Sequence, residues 1–251
     1  MLCQRVQELY LTDFIPSAPV LITGGAKRIG LALAESMLEK KIPVIVSYRQ
    51  PYPALEELIK KGACCIQADF SENAGILAFA EKVRAQTGKL RAIIHNASSW
   101  VAESPDTAPK DTMAMMLQIH VYTPYLLNLE LEECLRGQGT AGADIIHITD
   151  FVVEKGSKKH IAYSASKAAL DNMTLSFARK LAPEVKVNSI APALILFNPE
   201  DDASYREHAL NKSLMKIEPG ESEIVNLVDY IMRSKYVTGK TLGVDGGRRL
   251  R

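Results

Sequence analysis

Val20-Leu21-Ile22-Thr23-Gly24-Gly25-Ala26-Lys27-Arg28-Ile29-Gly30 is the stretch that decides the fold. A compact apolar run from Val20 to Thr23 ends at a glycine pair, and helical spacing of apolar residues follows from Ile29 through Leu38. A short apolar strand feeding a helix through a glycine-rich turn opens a βαβ unit. The backbone must bend sharply there. Glycine tolerates the bend, and amides at the helix N-terminus can meet a pyrophosphate.

Outward from this turn the same alternation repeats. Apolar runs at Val44-Ile45-Val46, Cys64 to Ile66, Ala92-Ile93-Ile94, Ile145 to Ile148, Val185 to Ile190 and Thr241 to Val244 read as strands. Helical stretches lie between them: Leu55 to Ile59, Ala74 to Val83, Met113 to Leu135 and Ile161 to Leu181, the last ended by Pro183. Pro124 is expected to kink or split the third of these. Strands buried on both faces with helices between them call for a parallel sheet covered on both sides. The fold class is therefore α/β, a single-domain, Rossmann-type, doubly wound parallel sheet of about seven strands. Residues 1–18 read as an N-terminal extension and 19–251 as the one domain, with an irregular insertion at about 193–216 where a substrate lid would lie.

Composition bounds the function. The 251 residues carry a formal net charge of +1, too little positive field to hold a nucleic-acid backbone. No apolar run approaches the roughly 20 residues of a membrane helix, and residues 1–18 lack the apolar core of a signal peptide. Cys3, Cys64, Cys65 and Cys134 form no C-x-x-C pair, and the five histidines are scattered, so no metal is implied. A reducing cytoplasm is the expected compartment.

Two sites carry chemistry. At the end of the second strand, Ser47-Tyr48-Arg49 lacks the acid that would accept bonds from the ribose hydroxyls of NAD. Arg49 and Lys27 would instead attract a 2′-phosphate, which favours NADP(H). Asp69 and Phe70, after the third strand, are placed to hold the adenine edge. Further on, Tyr163-Ser164-Ala165-Ser166-Lys167 puts a phenol and an ammonium one helical turn apart on one face. A neighbouring cation is expected to bring the phenol from about 10 toward a working pKa. The same spacing at Tyr236 and Lys240 is interrupted by Gly239 and lies outside any long helix.

Taken together these motifs resemble the short-chain dehydrogenase/reductase family, and within it the pteridine reductase branch. That branch shows T-G-x-x-K-R-x-G, N-A-S-S followed by an aromatic residue, and Asp in place of the catalytic Ser; here these are Thr23 to Gly30, Asn96 to Trp100, and Asp150. Arg28 stands where the family's middle glycine is usual, and His95, Ser98 and His120 depart from its Asn, Gly and Asn. The similarity extends from about Pro19 to the end, including Val187-Asn188 to Pro192 and Val244 to Gly247. The resemblance implies a catalytic set of Tyr163, Lys167 and Asp150. It implies a cofactor site of Gly24, Lys27, Arg28, Ile29, Gly30, Tyr48, Arg49, Asp69, Phe70, Asn96, Ala97, Ser98 and Pro192, completed by Tyr163 and Lys167. Arg28, Ser98, Trp100, Asp150 and Tyr163 would meet the substrate, with Trp100 stacking a pterin against the nicotinamide.

An ionised aspartate only accepts hydrogen bonds and would repel a developing alkoxide, so Asp150 argues against a ketone and suits a nitrogen heterocycle. The implied reaction is NADPH-dependent reduction of a 7,8-dihydropterin (dihydromonapterin, and dihydrofolate as well), by hydride to C6 and a proton to N5. The implied assembly is a homo-oligomer, commonly a tetramer. Two alternatives remain open: a carbonyl reductase of the same family, and a non-catalytic NADP(H)-sensing protein.

Overall fold

The computed structural model describes residues 18–251, so the expected extension, apart from Ala18, lies outside the described residues. In chain order the elements are β1 (Val20–Ile22), α1 (Arg28–Glu39), β2 (Val44–Tyr48), α2 (Ala54–Lys60), β3 (Cys64–Gln67), α3 (Asn73–Gln86) and β4 (Ala92–His95). There follow α4 (Pro109–Leu117), a π-helical turn (Gln118–Tyr122), α5 (Thr123–Glu130), α6 (Glu132–Leu135), β5 (Ala143–Ile148), α7 (Val152–Lys155), α8 (Ile161–Leu181) and β6 (Val185–Pro192). The chain closes with α9 (Ala203–Leu210), α10 (Ser222–Arg233), β7 (Thr241–Val244) and a 3-10 turn (Arg248–Leu250).

All seven strands are parallel, in the order β3-β2-β1-β4-β5-β6-β7. The order reverses between β1 and β4, and in sheets of this kind the ligand crevice lies at the carboxyl ends of those two strands. Successive side chains of a strand point to opposite faces, which explains why the strands are apolar throughout. Val20, Ile22, Val44, Val46 and Ile94 pack on one side against Leu33 and Met37 of α1 and Val228 and Ile231 of α10. Leu21, Ile45 and Ile93 pack on the other against Ile76 and Phe79 of α3, Leu127 of α5 and Phe177 of α8. Cys64 and Cys65 fall on opposite faces in the same way.

The long helical stretch expected from Met113 to Leu135 is broken one turn ahead of Pro124. Pro124 has no N–H to donate back into the preceding turn, and the Thr123 hydroxyl donates to the Gln118 carbonyl at 2.9 Å. The helix widens there into the π turn, which carries His120 into the interior at 1% exposure. At the amino ends of the central strands, buried Asp144 accepts from both Arg91 and Lys186. The same two cations donate to the Met232 and Ile231 carbonyls, fastening the end of α10 away from the crevice.

Candidate active site

The turn after β1 is a backbone cradle. Gly24 has φ +66°, and a Cβ there would stand 2.9 Å from Ala97 Cα. A Cβ on Gly30 would meet the Gly24 carbonyl at 2.3 Å and Asn96 Nδ2 at 2.5 Å. The Gly24 N–H donates to Ser47 Oγ and the Gly25 N–H to the Ser47 carbonyl, both at 3.0 Å, which ties the turn to β2. No side chain caps α1 and no acid sits in its first turn, so the helix presents its positive end toward the crevice. These features fit a dinucleotide pyrophosphate. Arg28 has φ +52°, the left-handed backbone that explains why a glycine is usual there. Its guanidinium donates to Asn198 Oδ1 and to the Leu196 carbonyl, joining the turn to the segment after β6.

Beyond β2 a shallow pocket of about 350 Å³ is lined by Arg49, Gln50, Gln67, Ala68, Asp69 and Lys82. Arg49 and Asp69, both expected at the cofactor, line this one pocket, which carries no carboxylate from the end of β2. Lys82, from α3, was invisible to sequence reasoning because it lies on an amphipathic helix far along the chain. Lys27 places its ammonium 5.3 Å from the centre of the Tyr52 ring at the same edge.

Asn96, expected against the cofactor, is bonded to the nucleotide turn. Both of its amide hydrogens are used on the Thr23 and Gly24 carbonyls, at 3.0 and 2.9 Å, and its N–H donates to Thr23 Oγ1. In this structure it holds the cradle in shape. Ser98, expected at the cofactor and substrate, is bonded to His120 Nε2 at 2.8 Å.

The three residues expected to be catalytic come together at the carboxyl end of β5 and the amino end of α8. The Tyr163 hydroxyl donates to Asp150 Oδ2 at 2.8 Å, while Asp150 Oδ1 accepts from the Val152 N–H at 2.8 Å, a local turn that leads into α7. Lys167 is 3% exposed and its Nζ donates to the Ile148 carbonyl at 2.7 Å. Its ammonium stands 5.8 Å from the Tyr163 ring centre. Burial, only partly offset by Asp150, brings its pKa down to about 8. The second copy of the motif is on the surface: Tyr236 is 97% exposed.

One expectation is reversed here. Lys167 was expected to lower the Tyr163 pKa, yet the phenol is pushed well above its ordinary range. Burial is the main cause, and the charge of Asp150 and its hydrogen bond add to it. A phenol that donates to a carboxylate in a desolvated site keeps its proton.

His95, His120 and His147 are buried and hydrogen-bonded. The Ser166 hydroxyl donates to the Tyr163 carbonyl, so it accepts from His120 Nδ1, which leaves Nε2 to accept from Ser98. Burial, and then the charge of Lys167, brings His120 down to about 2, so it is a neutral link. His95 Nε2 donates to Asn128 Oδ1, Asn128 Nδ2 faces His147 Nε2, and His147 Nδ1 donates to Thr174. Trp100 is 66% exposed and stacks on His160, with ring centres 4.2 Å apart, at the rim of the crevice.

Residues 24–249 match the model of the family described as enoyl-(acyl carrier protein) reductase. The dihydromonapterin reductase of Enterobacter sp. (strain 638) is 67% identical over 94% of this chain and 98% of its own length. That of Escherichia coli O6:H1 is 66% identical over the same shares. Among solved structures, FolM alternative dihydrofolate reductase 1 from Brucella canis, complexed with NADP, superposes with a TM-score of 0.86 at 26% identity, covering 96% of this chain and 97% of that one. The chain belongs to the short-chain dehydrogenase/reductase family. Within it, the chain stands on the branch of the dihydromonapterin reductases.

Proposed function

We propose that this chain reduces 7,8-dihydropterins with NADPH, dihydromonapterin first and dihydrofolate as well. The observation that carries the reading is the Tyr163–Asp150 hydrogen bond, which puts a proton donor and an acceptor-only carboxylate side by side at the mouth of the crevice. A ketone needs donors converging on its oxygen, and Asp150 supplies none. A dihydropterin brings amino and ring N–H groups for Asp150 to accept, and an N5 that must gain a proton. Relatives at 66–67% identity carry the same activity in their names.

NADPH, when bound, supplies the hydride that adds to C6. The cradle of Gly24 to Gly30 would hold its pyrophosphate, and Lys27, Arg49 and Lys82 its 2′-phosphate. Asp150 orients the heterocycle through its N–H groups, and Tyr163, whose environment keeps it protonated, delivers a proton to N5. Lys167 is fixed by the Ile148 carbonyl where it can hold the nicotinamide ribose. Trp100 offers an exposed indole on which a flat ring can stack. Arg28, bonded to Leu196 and Asn198, connects the cradle to the 193–216 insertion, which we take as the substrate lid. A cytoplasmic homotetramer fits the family, and the exposed Met115, Tyr122, Tyr125 and Leu175 on α4, the π turn, α5 and α8 support burial between subunits.

The reading is tested by NADPH oxidation measured side by side on dihydromonapterin, dihydrofolate and a panel of ketones. Turnover is expected on the dihydropterins, and Asp150→Ser is expected to reduce it by about 10- to 10²-fold, the scale of a charge-assisted hydrogen bond that orients the ring. Ketone turnover without dihydropterin turnover overturns the assignment. For the cofactor, Arg49→Asp should raise the KM for NADPH by one to two decades, since a charge-assisted phosphate contact contributes about 1.5–3 kcal/mol. NADH used as well as NADPH by the unmodified protein would contradict it.

A further inference from the structure

Trp100, the one tryptophan of the chain, is 66% exposed, yet one face of its indole is covered. That face lies on the His160 imidazole, with ring centres 4.2 Å apart and planes within 19° of parallel. His160 Nδ1 donates to the Val101 carbonyl at 3.1 Å, so the imidazole is held by the residue next to the indole it backs. His160 stands immediately before α8, about one helical turn ahead of Tyr163.

The segment that carries Trp100 is fastened to the start of that helix. The Glu103 N–H donates to the Lys159 carbonyl at 3.1 Å, and the Glu103 carboxylate accepts from the Ile161 and Ala162 N–H groups at 2.9 and 2.7 Å. These are first-turn amides that α8 cannot satisfy from within, and the His160 side chain does not cap them. The two bonds, that from Ala162 foremost, hold the Glu103 carboxyl below its ordinary range. Between Trp100 and Glu103, the Val101 side chain packs against Met116, Ala162 and Tyr163. The position of the indole is thereby tied to the helix that carries the proton donor. An aromatic ring stacked on one face and anchored through its backbone has little freedom left to lose when a second ring joins the other face.

We propose that His160 and Glu103 are positioning residues for the substrate ring. His160 backs the indole and Glu103 fixes its segment to α8, so that the open face of Trp100 meets a flat, uncharged bicyclic heterocycle in register with Tyr163. This rests on the dihydropterin reading above. Neither side chain exchanges a proton with the substrate; both act on where the ring lies. The platform selects for a planar ring and leaves the C6 appendage free, which suits dihydromonapterin and dihydrofolate alike.

The test is steady-state kinetics on those two substrates for the unmodified protein, His160→Ala, His160→Phe and Glu103→Gln, with NADPH affinity and Trp100 emission measured on each. His160→Ala should raise both KM values about three- to tenfold, the scale of one aromatic stacking contact, with kcat and NADPH affinity within about twofold. His160→Phe keeps a ring behind the indole and should restore most of the KM. Glu103→Gln keeps one of the two acceptor oxygens and should give a smaller rise of the same kind, and it carries the test should His160→Ala lose its fold. Without substrate, the emission should move to longer wavelength in His160→Ala and stay in place in His160→Phe. A KM unchanged in His160→Ala, or lowered because the freed face takes the ring, overturns the platform and leaves the reaction standing. So does equal damage to KM, kcat and NADPH affinity in both His160 variants, the pattern of a merely structural role. An unmodified protein that turns over no dihydropterin sinks the reading of the reaction first, and the platform with it.

Discussion

Tyr163→Phe is expected to bind NADPH almost as the unmodified protein does while its turnover of dihydropterin falls by about 10²–10⁴, the usual weight of a positioned proton donor. The phenol ring packs with Ala162 and Met116, and phenylalanine keeps that packing, so folding should survive. What is lost is the hydroxyl that donates to Asp150, and with it the proton for N5. The split between binding and turnover separates this role from a packing one: fluorescence titration with NADPH reads the first, and single-turnover oxidation the second. In the unmodified protein the rate should also fall as pH passes about 8, where Lys167 loses its proton. A Tyr163→Phe protein with near-normal turnover would move proton delivery to Asp150 and a water.

Acid should unfold this protein earlier than its carboxylates alone would. His95, His120 and His147 are all at most 3% exposed. Burial brings His95 down to about 4 and His120 to about 2, and His147 well below its ordinary range. In the unfolded chain each returns to about 6.5. Below that pH the unfolded chain binds protons that the folded one refuses, so stability that is complete above pH 6.5 is lost as pH falls toward 4. His95 alone should remove about 3 kcal/mol by pH 4, and the others add to it. Glu103, Glu132 and Glu184 are all held below their ordinary value, so their contribution is lost only at lower pH than the histidine window. Urea midpoints measured from pH 7.5 to 4.5 check this, and a flat profile across that range would contradict the neutral histidine chain.

Much of the architecture was legible because parallel strands covered on both faces must be apolar throughout, and the helices between them keep their own period. The stretches Val44-Ile45-Val46 and Ile161 to Leu181 announce themselves in this way. The cradle was legible because a turn that meets a pyrophosphate has few residues open to it, and Gly24 and Gly30 fill positions that a Cβ would obstruct. The break near Pro124 was legible, but its form was not: a proline tells where a helix loses a donor, while the π turn depends on Thr123 bonding back to Gln118.

The sequence by itself therefore determined the doubly wound sheet, the nucleotide turn, the lack of an acid after β2, and the Tyr163–Lys167 pair. Each is written in residues close enough along the chain to show a period or a spacing. Only the tertiary structure decided the bond between Asp150 and Tyr163, the upward shift of the phenol, and the turn of Asn96 back onto Thr23 and Gly24. It alone decided the neutral link through His120 between Ser98 and Ser166. These depend on which distant segments meet and on how much water is excluded where they do. Local pattern records neither, because hydrogen-bond distance and desolvation are properties of the packed chain.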